Sequence, residues 1–146
     1  MTEWSLLQTL SHPFIVKAYL LIQEADSSYL LLDQVQGSDL FRLKIQRKLK
    51  IHEISFIVSE VVVALEYLHS KSIIYRDLKP ENVMIDLDGH AKLIDFDLSK
   101  RIDSSKTYTS CGSPEYMAPE MFFKKGYSFE VDWWALGILI YELLCG

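Results

Sequence analysis

The feature that most constrains the fold is a set of apolar residues that recurs at three- and four-residue steps near the middle of the chain. This spacing predicts a helix over residues 52–70 that is apolar on most of its sides. Because such a helix is unstable in water, we expect it to lie at the centre of a core. The repeating positions are Ile51, Ile54, Ile57, Val58, Val61, Leu65 and Leu68.

Two pairs of short apolar runs predict hairpins. Residues 16–23 and 29–35 are apolar runs of strand length around a polar turn. Residues 83–86 and 91–94 flank an Asp-Gly pair at Asp88, which is a strong short-range hairpin signal.

Helical patterns occupy three further stretches. Residues 3–10 indicate the end of a helix, and residues 38–48 indicate a short amphipathic one. Residues 133–141 form the longest uncharged apolar stretch, which is far shorter than the roughly 20 residues that a membrane span needs. We interpret it as a buried helix, and we expect no membrane span.

Composition restricts the class of protein. The 146 residues are 49% hydrophobic, which suits one core. The net charge of −5 argues against nucleic-acid or anionic-membrane partners and agrees with the binding of basic peptides. The two cysteines, Cys111 and Cys145, provide no disulfide framework, and no signal peptide is apparent. We therefore expect an intracellular, cytoplasmic protein.

Three motifs supply the groups that phosphoryl transfer from a nucleotide to a hydroxyl requires. An octapeptide ends at Asn82, an Asp-Phe-Asp triplet begins at Asp95, and an Ala-Pro-Glu element ends at Glu120. The reaction needs a carboxylate near the incoming hydroxyl, a cation near the transferred phosphate and oxygen ligands for hard metal ions. These groups are Asp77, Lys79, Asn82 and Asp95.

These motifs resemble those of eukaryotic Ser/Thr protein kinases, and within them those of the AGC group, which includes the cAMP- and cGMP-dependent kinases. Tyr75 in place of the usual histidine, residues 111–116 and residues 132–137 point to that group. The resemblance covers the whole chain but only part of a domain, from the end of the family's helix C to its helix F. It implies an incomplete α+β protein kinase-like fold. Residues 1–35 would be a remnant of the N-lobe sheet with the hinge, and residues 36–146 the mainly helical upper C-lobe.

The resemblance assigns the catalytic roles. It implies that Asp77 accepts or orients the proton of the substrate hydroxyl, and that Lys79 neutralises charge on the transferred phosphate. Asn82 and Asp95 match the family's two metal positions, and an amide oxygen with a carboxylate suits Mg²⁺. A solvated turn is the alternative for Asp77, and a turn side chain bonded to its own backbone is the alternative for Asn82.

ATP is the implied cofactor, and the resemblance places its adenine at the hinge formed by Asp33 and Val35. Leu32 would control the pocket behind the adenine, and Met84 would form its floor. Any apolar strand shows a similar pattern, so these assignments depend on the resemblance.

Protein substrates with basic motifs are the implied partners. Asp39, Glu81 and Glu142 match acidic positions that, in basophilic relatives, pair with arginines two and three residues before the phosphoacceptor. Each acidic residue alone is more often a solvated surface charge. Ser113 matches a residue that contacts both the catalytic loop and the acceptor region of the substrate. The parent protein would also have a regulatory subunit or domain.

The segment between the second and third motifs resembles the kinase activation segment. Thr109 aligns with the activating phosphothreonine, whose phosphate would dock on Arg76 and Lys100. The alternative is an ordinary Ser/Thr-rich loop, and Thr107 and Ser110 are neighbouring candidates for the phosphosite.

Four positions match structural residues of the family. Glu3 matches the helix C glutamate, and Phe96 and Asp132 match members of an internal stack. Glu120 matches a glutamate that would pair with a later arginine, which this sequence lacks. The family's Asp-Phe-Gly is here Asp-Phe-Asp, so Asp97 replaces a glycine that is free to adopt positive φ and adds a negative charge near the metals.

Two hypotheses follow. The chain belongs to an active Ser/Thr kinase, or it is a truncated, non-catalytic kinase-like protein that binds or regulates. The four intact catalytic residues favour the first. The second is favoured by Asp97 and by the absence from the sequence of a Gly-rich phosphate loop and of a lysine strand to pair with Glu3. For the same reasons we expect the 146-residue chain alone to be inactive.

Overall fold

The computed structural model describes residues 3–102, 106–123 and 125–146, in which short strands and helices alternate. The α+β class expected from the sequence is confirmed. The described ranges also include single turns of 3₁₀ helix at Pro80–Asn82 and Pro114–Tyr116. The helices and strands are α1 (Glu3–Leu7), β1 (Ala18–Gln23), β2 (Ser28–Leu32), β3 (Gly37–Asp39), α2 (Leu40–Gln46), α3 (Ile51–Ser70), β4 (Ile73–Ile74), β5 (Val83–Asp86), β6 (Ala91–Leu93), β7 (Lys100–Arg101), α4 (Pro119–Phe122) and α5 (Glu130–Cys145).

Helix α3 is the central helix, as its apolar periodicity predicts. Its buried side chains lie in the main core cluster, and it packs against α5, β4 and β6. Ile51 is exposed because it is the first residue of the helix. The N-terminus is capped by Glu53, which accepts the Lys50 backbone N–H at 2.7 Å and pairs with both terminal nitrogens of Arg47.

Both predicted hairpins are present. Strands β1 and β2 pair antiparallel, and β2 ends at Leu32 rather than at the predicted residue 35. Strands β5 and β6 join β3 in a three-stranded sheet of order β3-β5-β6. Asp86 closes the turn of the second hairpin, because its Oδ1 accepts the backbone N–H groups of Asp88 and His90.

Strand β3 was not predicted, since three residues carry no readable periodicity. It depends on Gly37, because a Cβ at this position would lie 1.8 Å from the Ile85 carbonyl oxygen. Only glycine permits this approach of β3 to β5. The two-residue strands β4 and β7 are likewise too short for a sequence pattern.

The interpretation of residues 133–141 as a buried helix is correct for one face only. Helix α5 buries Val131, Ala135, Leu139 and Leu143, whereas Trp133, Trp134, Tyr141 and Leu144 are exposed. Its residues are apolar on both sides, so composition alone does not distinguish the two faces. Within the described ranges, no helix is long and apolar enough to cross a membrane.

Candidate active site

Asp77 is the central carboxylate of the octapeptide and is held by three other side chains. It lies in the loop between β4 and the 3₁₀ turn Pro80–Asn82, with 8% of its surface exposed. Lys79 Nζ lies 2.8 Å from Oδ2, Asn82 Nδ2 lies 2.9 Å from the same oxygen, and Ser113 Oγ lies 3.0 Å from Oδ1. Both carboxylate oxygens are therefore oriented before any substrate binds.

Lys79 and Ser113 join the octapeptide to the segment that follows the second motif. Lys79 Nζ donates to Ser113 Oγ at 3.0 Å, and the Ser113 backbone N–H donates to Asp77 at 3.2 Å. The structure thus places Ser113 against the predicted base and cation. Lys79 and Ser113 line a cleft of about 710 Å³.

The backbone before Asp77 is positioned by a buried carboxylate on helix α5. Asp132 accepts the backbone N–H groups of Tyr75 at 2.9 Å and of Arg76 at 2.8 Å, and it also contacts His69 Nε2 at 2.8 Å. Arg76 has φ 72°, a left-handed conformation that is unfavourable for a residue with a side chain. Asp132 therefore helps to hold the backbone conformation of the loop that carries Asp77.

A buried aromatic pair joins the first motif to the second. The rings of Tyr75 and Phe96 meet edge to face, with their centroids 5.1 Å apart. The Tyr75 hydroxyl donates to the backbone carbonyl of Ile94. Burial raises the pKa of Tyr75 well above its usual value, and the charge of Asp95 adds to this effect. Phe96 and Asp132 thus both lie in the interior, beside the loop that carries Asp77.

Asp97, which stands where the family has a glycine free to adopt positive φ, does not use that conformation. Asp97 is not among the residues with positive φ, and it is Asp95 that has φ 59°. Asp95 Oδ1 accepts the Asp97 backbone N–H at 3.2 Å, which is a local bond that short polar side chains make in such turns. Replacement of the family's glycine therefore adds a charge here without forcing a left-handed conformation on Asp97.

A second cleft, of about 470 Å³, brings together the residues expected to bind the nucleotide. Leu32, Asp33, Val35 and Met84 line it together with Asp95. Its size is within the range of small-molecule sites. The sequence reasoning did not single out Val16 and Ile94, which also line it. Their only sequence signal is an apolar side chain in or beside a predicted strand.

The chemistry of Asn82 and Asp95 fits a hard divalent cation. The Asn82 amide nitrogen donates to the Asp77 carboxylate and backbone carbonyl, both at 2.9 Å. The Asp95 carboxylate is exposed. The Ile94 N–H donates to the Asn82 carbonyl at 3.0 Å, which fixes the two metal candidates on neighbouring backbone segments. Oxygen donors of these two types suit Mg²⁺.

Three carboxylates meet at the edge of the nucleotide cleft. Oxygens of Glu3, Asp95 and Asp97 lie within 4.8 Å of one another. Burial raises the pKa of Glu3, and the charges of Asp97 and Asp95 raise it further, whereas a hydrogen bond from the Phe96 N–H lowers it. No cation pairs with Glu3 in the part of the chain that the structure describes.

Thr109 is exposed and is linked to Arg76 through a tyrosine that sequence reasoning missed. The Tyr127 hydroxyl donates to the Thr109 backbone carbonyl, and Arg76 Nη1 lies 3.2 Å from the same hydroxyl. Thr107 differs, because it is 2% exposed and its hydroxyl accepts Lys100 Nζ at 3.1 Å. Tyr127 follows no motif, so only its position in the fold reveals the contact.

The acidic residues predicted to bind substrate arginines lie in different settings. Glu81 and Glu142 line the cleft of about 710 Å³. Asp39 does not line it, and its Oδ1 caps helix α2 by accepting the Arg42 N–H at 2.8 Å. Glu120 lies in the first turn of α4, and no ion pair to it is found among the described residues.

Glu142 makes two contacts that the sequence did not predict. Lys44 Nζ donates to Glu142 Oε1, and the Tyr116 hydroxyl donates to Glu142 Oε2. Burial raises the pKa of Tyr116, and its hydrogen bond to Glu142 contributes to the same shift. Both partners are distant from Glu142 in the sequence, which explains why no local pattern indicates them.

Comparisons with known proteins agree with this geometry. The protein kinase domain family matches residues 1–146. The chain is 47% identical over 146 residues to the cAMP-dependent protein kinase catalytic subunit of Dictyostelium discoideum. It is 46% identical over 145 residues to the human cAMP-dependent protein kinase catalytic subunit PRKX, and 44% identical over 145 residues to the cAMP-dependent protein kinase type 3 of Saccharomyces cerevisiae.

These matches cover 99% of the chain in each case, and they span 22%, 40% and 36% of the respective relatives. They confirm the resemblance to kinases of the AGC group that the motifs indicated. Membership in the family implies ATP and a divalent metal as cofactors. The chain belongs to the protein kinase domain family, with cAMP-dependent protein kinase catalytic subunits among its relatives.

Proposed function

We propose that this chain carries the catalytic loop of an ATP-dependent Ser/Thr protein kinase that phosphorylates proteins with basic motifs. The observation that carries the proposal is the Asp77 carboxylate, which is held by Lys79, Asn82 and Ser113, three residues that line the cleft of about 710 Å³. Phosphoryl transfer depends mainly on positioning and on charge stabilisation, so an oriented carboxylate beside a cation is what the reaction needs.

In this mechanism each residue has a separate task. Asp77 orients the substrate hydroxyl and takes its proton, and Lys79 stabilises the negative charge on the transferred phosphate. Asn82 and Asp95 would hold Mg²⁺, which supplies charge neutralisation at the nucleotide phosphates when it is bound. Ser113 keeps Asp77 and Lys79 in a fixed relation to the bound peptide.

The nucleotide and regulatory sites extend the same proposal. Leu32, Asp33, Val35 and Met84 would contact the adenine, since they line the second cleft with Asp95. Phosphate on Thr109 would dock near Arg76. The Tyr127 hydroxyl already contacts both the Thr109 backbone carbonyl and Arg76 Nη1.

A regulatory partner and an intracellular location are part of the same proposal. The relatives are named catalytic subunits, so we carry over a regulatory subunit or domain as a partner of this protein. The free cysteines Cys111 and Cys145 agree with an intracellular location.

A segment exchange tests the activity. Residues 1–146 would replace the matching segment of the Dictyostelium catalytic subunit, which is 47% identical to them. We expect this chimera to transfer labelled phosphate from ATP to a peptide that contains arginine and serine. Asp77→Asn should lower its rate by about 10²–10⁴-fold, because the base is lost while the shape is kept. A chimera no faster than its Asp77→Asn variant would refute the proposal.

The 146-residue chain by itself should be far slower than the chimera. Its sequence contains neither a Gly-rich phosphate loop nor a lysine to pair with Glu3, and each preorganised electrostatic contact is worth about 10²–10³ in rate. The same assay applied to both proteins, with Asp77→Asn as the background, measures the difference. Equal rates would show that the residues of this chain suffice for catalysis.

A further inference from the structure

Arg101 is a partly buried cation without an anionic partner. It lies in β7, and its Nε is the one buried side-chain nitrogen or oxygen that has no hydrogen-bond partner in the described part of the chain. Its guanidinium forms no ion pair with a carboxylate of the described residues. A guanidinium stays charged in proteins, so a buried donor left unused on it is costly. Arg101 therefore has an open position for an anionic acceptor.

The hydroxyl of Thr9 lies at the same edge of this guanidinium. Thr9 is exposed, in the turn that follows α1. Arg101 Nη2 donates to Thr9 Oγ1 at 3.3 Å, and the Thr9 hydroxyl donates to the Leu6 carbonyl at 2.8 Å. Nη2 and Nε are the two donors of one edge of a guanidinium, and two such donors bind a phosphate bidentately. One donor of this edge thus already contacts the Thr9 hydroxyl, and the other is unused.

We propose that Thr9 is a phosphorylation site whose phosphate is bound by Arg101. A Ser/Thr kinase would transfer the γ-phosphoryl group of ATP to Thr9 Oγ1. The new bond joins Oγ1 to phosphorus, the bond from that phosphorus to ADP breaks, and the hydroxyl proton is lost. The phosphate oxygens accept Nη2 and the unused Nε, so the modification supplies the missing acceptor. The site is separate from Thr109, and it does not depend on the proposed function.

The phosphate would fix the position of helix α1. At the start of α1, Glu3 Oε1 accepts the Phe96 backbone N–H at 3.1 Å. Just after its end, Thr9 meets Arg101, which is 92 positions away in the sequence. A phosphate held by Arg101 would therefore attach the chain at both ends of α1 to the segment between Phe96 and Arg101.

Without Arg101 the same phosphate should destabilise the protein. Phosphorylation removes the hydrogen that Thr9 donates to the Leu6 carbonyl. It also places negative charge just after the C-terminus of α1, where the helix dipole is negative. The modification should therefore stabilise the wild type and destabilise a variant that lacks the guanidinium. This change of sign is specific to the contact with Arg101.

Phosphothreonine introduced at position 9 by genetic code expansion tests the contact. In the 146-residue chain, it should raise Tm by about 2–4 °C in the wild type and lower it by a similar amount in Arg101→Gln, as measured by circular dichroism. Arg42→Gln removes an arginine that pairs with Asp39 instead, and it should keep the rise seen in the wild type. A shift of the same sign and size in the wild type and Arg101→Gln, including no shift in either, would overturn the proposal.

A ³¹P NMR titration gives a readout that does not need cooperative unfolding. The second pKa of phosphothreonine is usually about 6, and Arg101 should lower it by about 0.5–1 relative to Arg101→Gln. Arg42→Gln should match the wild type, and the difference should vanish in denaturing urea. Equal pKa values in the folded wild type and Arg101→Gln would overturn the proposal. Repeating the titration in the segment-exchange chimera makes the result independent of the stability of the isolated chain.

Two further measurements test the source of the phosphate. In the chimera produced in Dictyostelium cells, tandem mass spectrometry of the tryptic peptide that ends at Lys17 should find phosphate on Thr9, and Thr9→Val should remove it. Absence of phosphate from Thr9 would overturn its assignment as a modification site. Inorganic phosphate equimolar with the unmodified chain should leave Tm unchanged, because only the attached group has a high effective concentration. A rise in Tm that depends on Arg101 would assign the site to a free anion instead and overturn the role of Thr9.

Discussion

The backbone N–H of Arg76 donates to the carboxylate of Asp132 at 2.8 Å, across 56 residues of sequence. Asp132 is 1% exposed, and Arg76 has a left-handed backbone conformation. A buried acceptor on helix α5 therefore offsets strain in the loop that presents the predicted base.

Asp132→Ala should destabilise the protein strongly. The change leaves the buried N–H groups of Tyr75 and Arg76 without acceptors, which should lower the free energy of unfolding by about 2–5 kcal/mol. Urea denaturation followed by circular dichroism measures this. Asp88→Ala removes an exposed carboxylate and should change the same quantity by no more than about 0.5 kcal/mol. Similar losses in both variants would show that Asp132 does not hold the loop.

The contact between His90 and Glu60 should make stability depend on pH. His90 Nδ1 lies 2.6 Å from Glu60 Oε1, and this hydrogen bond raises the pKa of His90 above its usual 6.5. The folded state thus binds the proton more tightly than the unfolded state, and the stabilisation is complete below pH 6.5. It is lost as the pH rises through the folded-state pKa.

We therefore expect the wild type to exceed His90→Gln in urea midpoint by a larger margin at pH 6 than at pH 9. The other histidines are present in both proteins, so the difference isolates His90. A margin that does not change with pH would contradict the predicted coupling.

Removing the charge of Asp97 should improve nucleotide binding. Its carboxylate lies with those of Glu3 and Asp95 at the edge of the cleft. The charge that Asp97 adds there repels the nucleotide phosphates. In the chimera, Asp97→Gly and Asp97→Asn should each lower KM for Mg·ATP by about threefold to tenfold. Both variants should act alike because Asp97 has no positive φ. An improvement in Asp97→Gly alone would show that backbone freedom was limiting.

Thr109 should be phosphorylated in preference to Thr107. Thr109 is exposed, whereas the Thr107 hydroxyl is buried and bonded to Lys100. After incubation with a kinase that phosphorylates activation segments, mass spectrometry should find most of the phosphate on Thr109. Thr109→Val should remove most of the incorporation, and Thr107→Val should leave it almost unchanged. The opposite pattern would contradict the assignment.

Much of the fold was predictable because its signals are local. The periodicity of α3, the Asp-Gly turn between β5 and β6 and the polar turn between β1 and β2 each involve residues close together in sequence. Strands β3, β4 and β7 were not predictable, since two or three residues contain no period. The exposed face of α5 was missed because its apolar residues surround the helix.

In the candidate site, too, the local features were predictable and the long-range contacts were not. Asp77, Lys79 and Asn82 lie within six residues, and the octapeptide alone determined which chemical groups are present and in what order. Only the tertiary structure decided that Asp132 holds the backbone of Arg76, that Tyr127 links Arg76 to Thr109 and that Lys44 contacts Glu142. These contacts join residues that are far apart in the chain. Because one charge or hydroxyl has many chemically equivalent partners in a sequence, packing alone selects which of them meet.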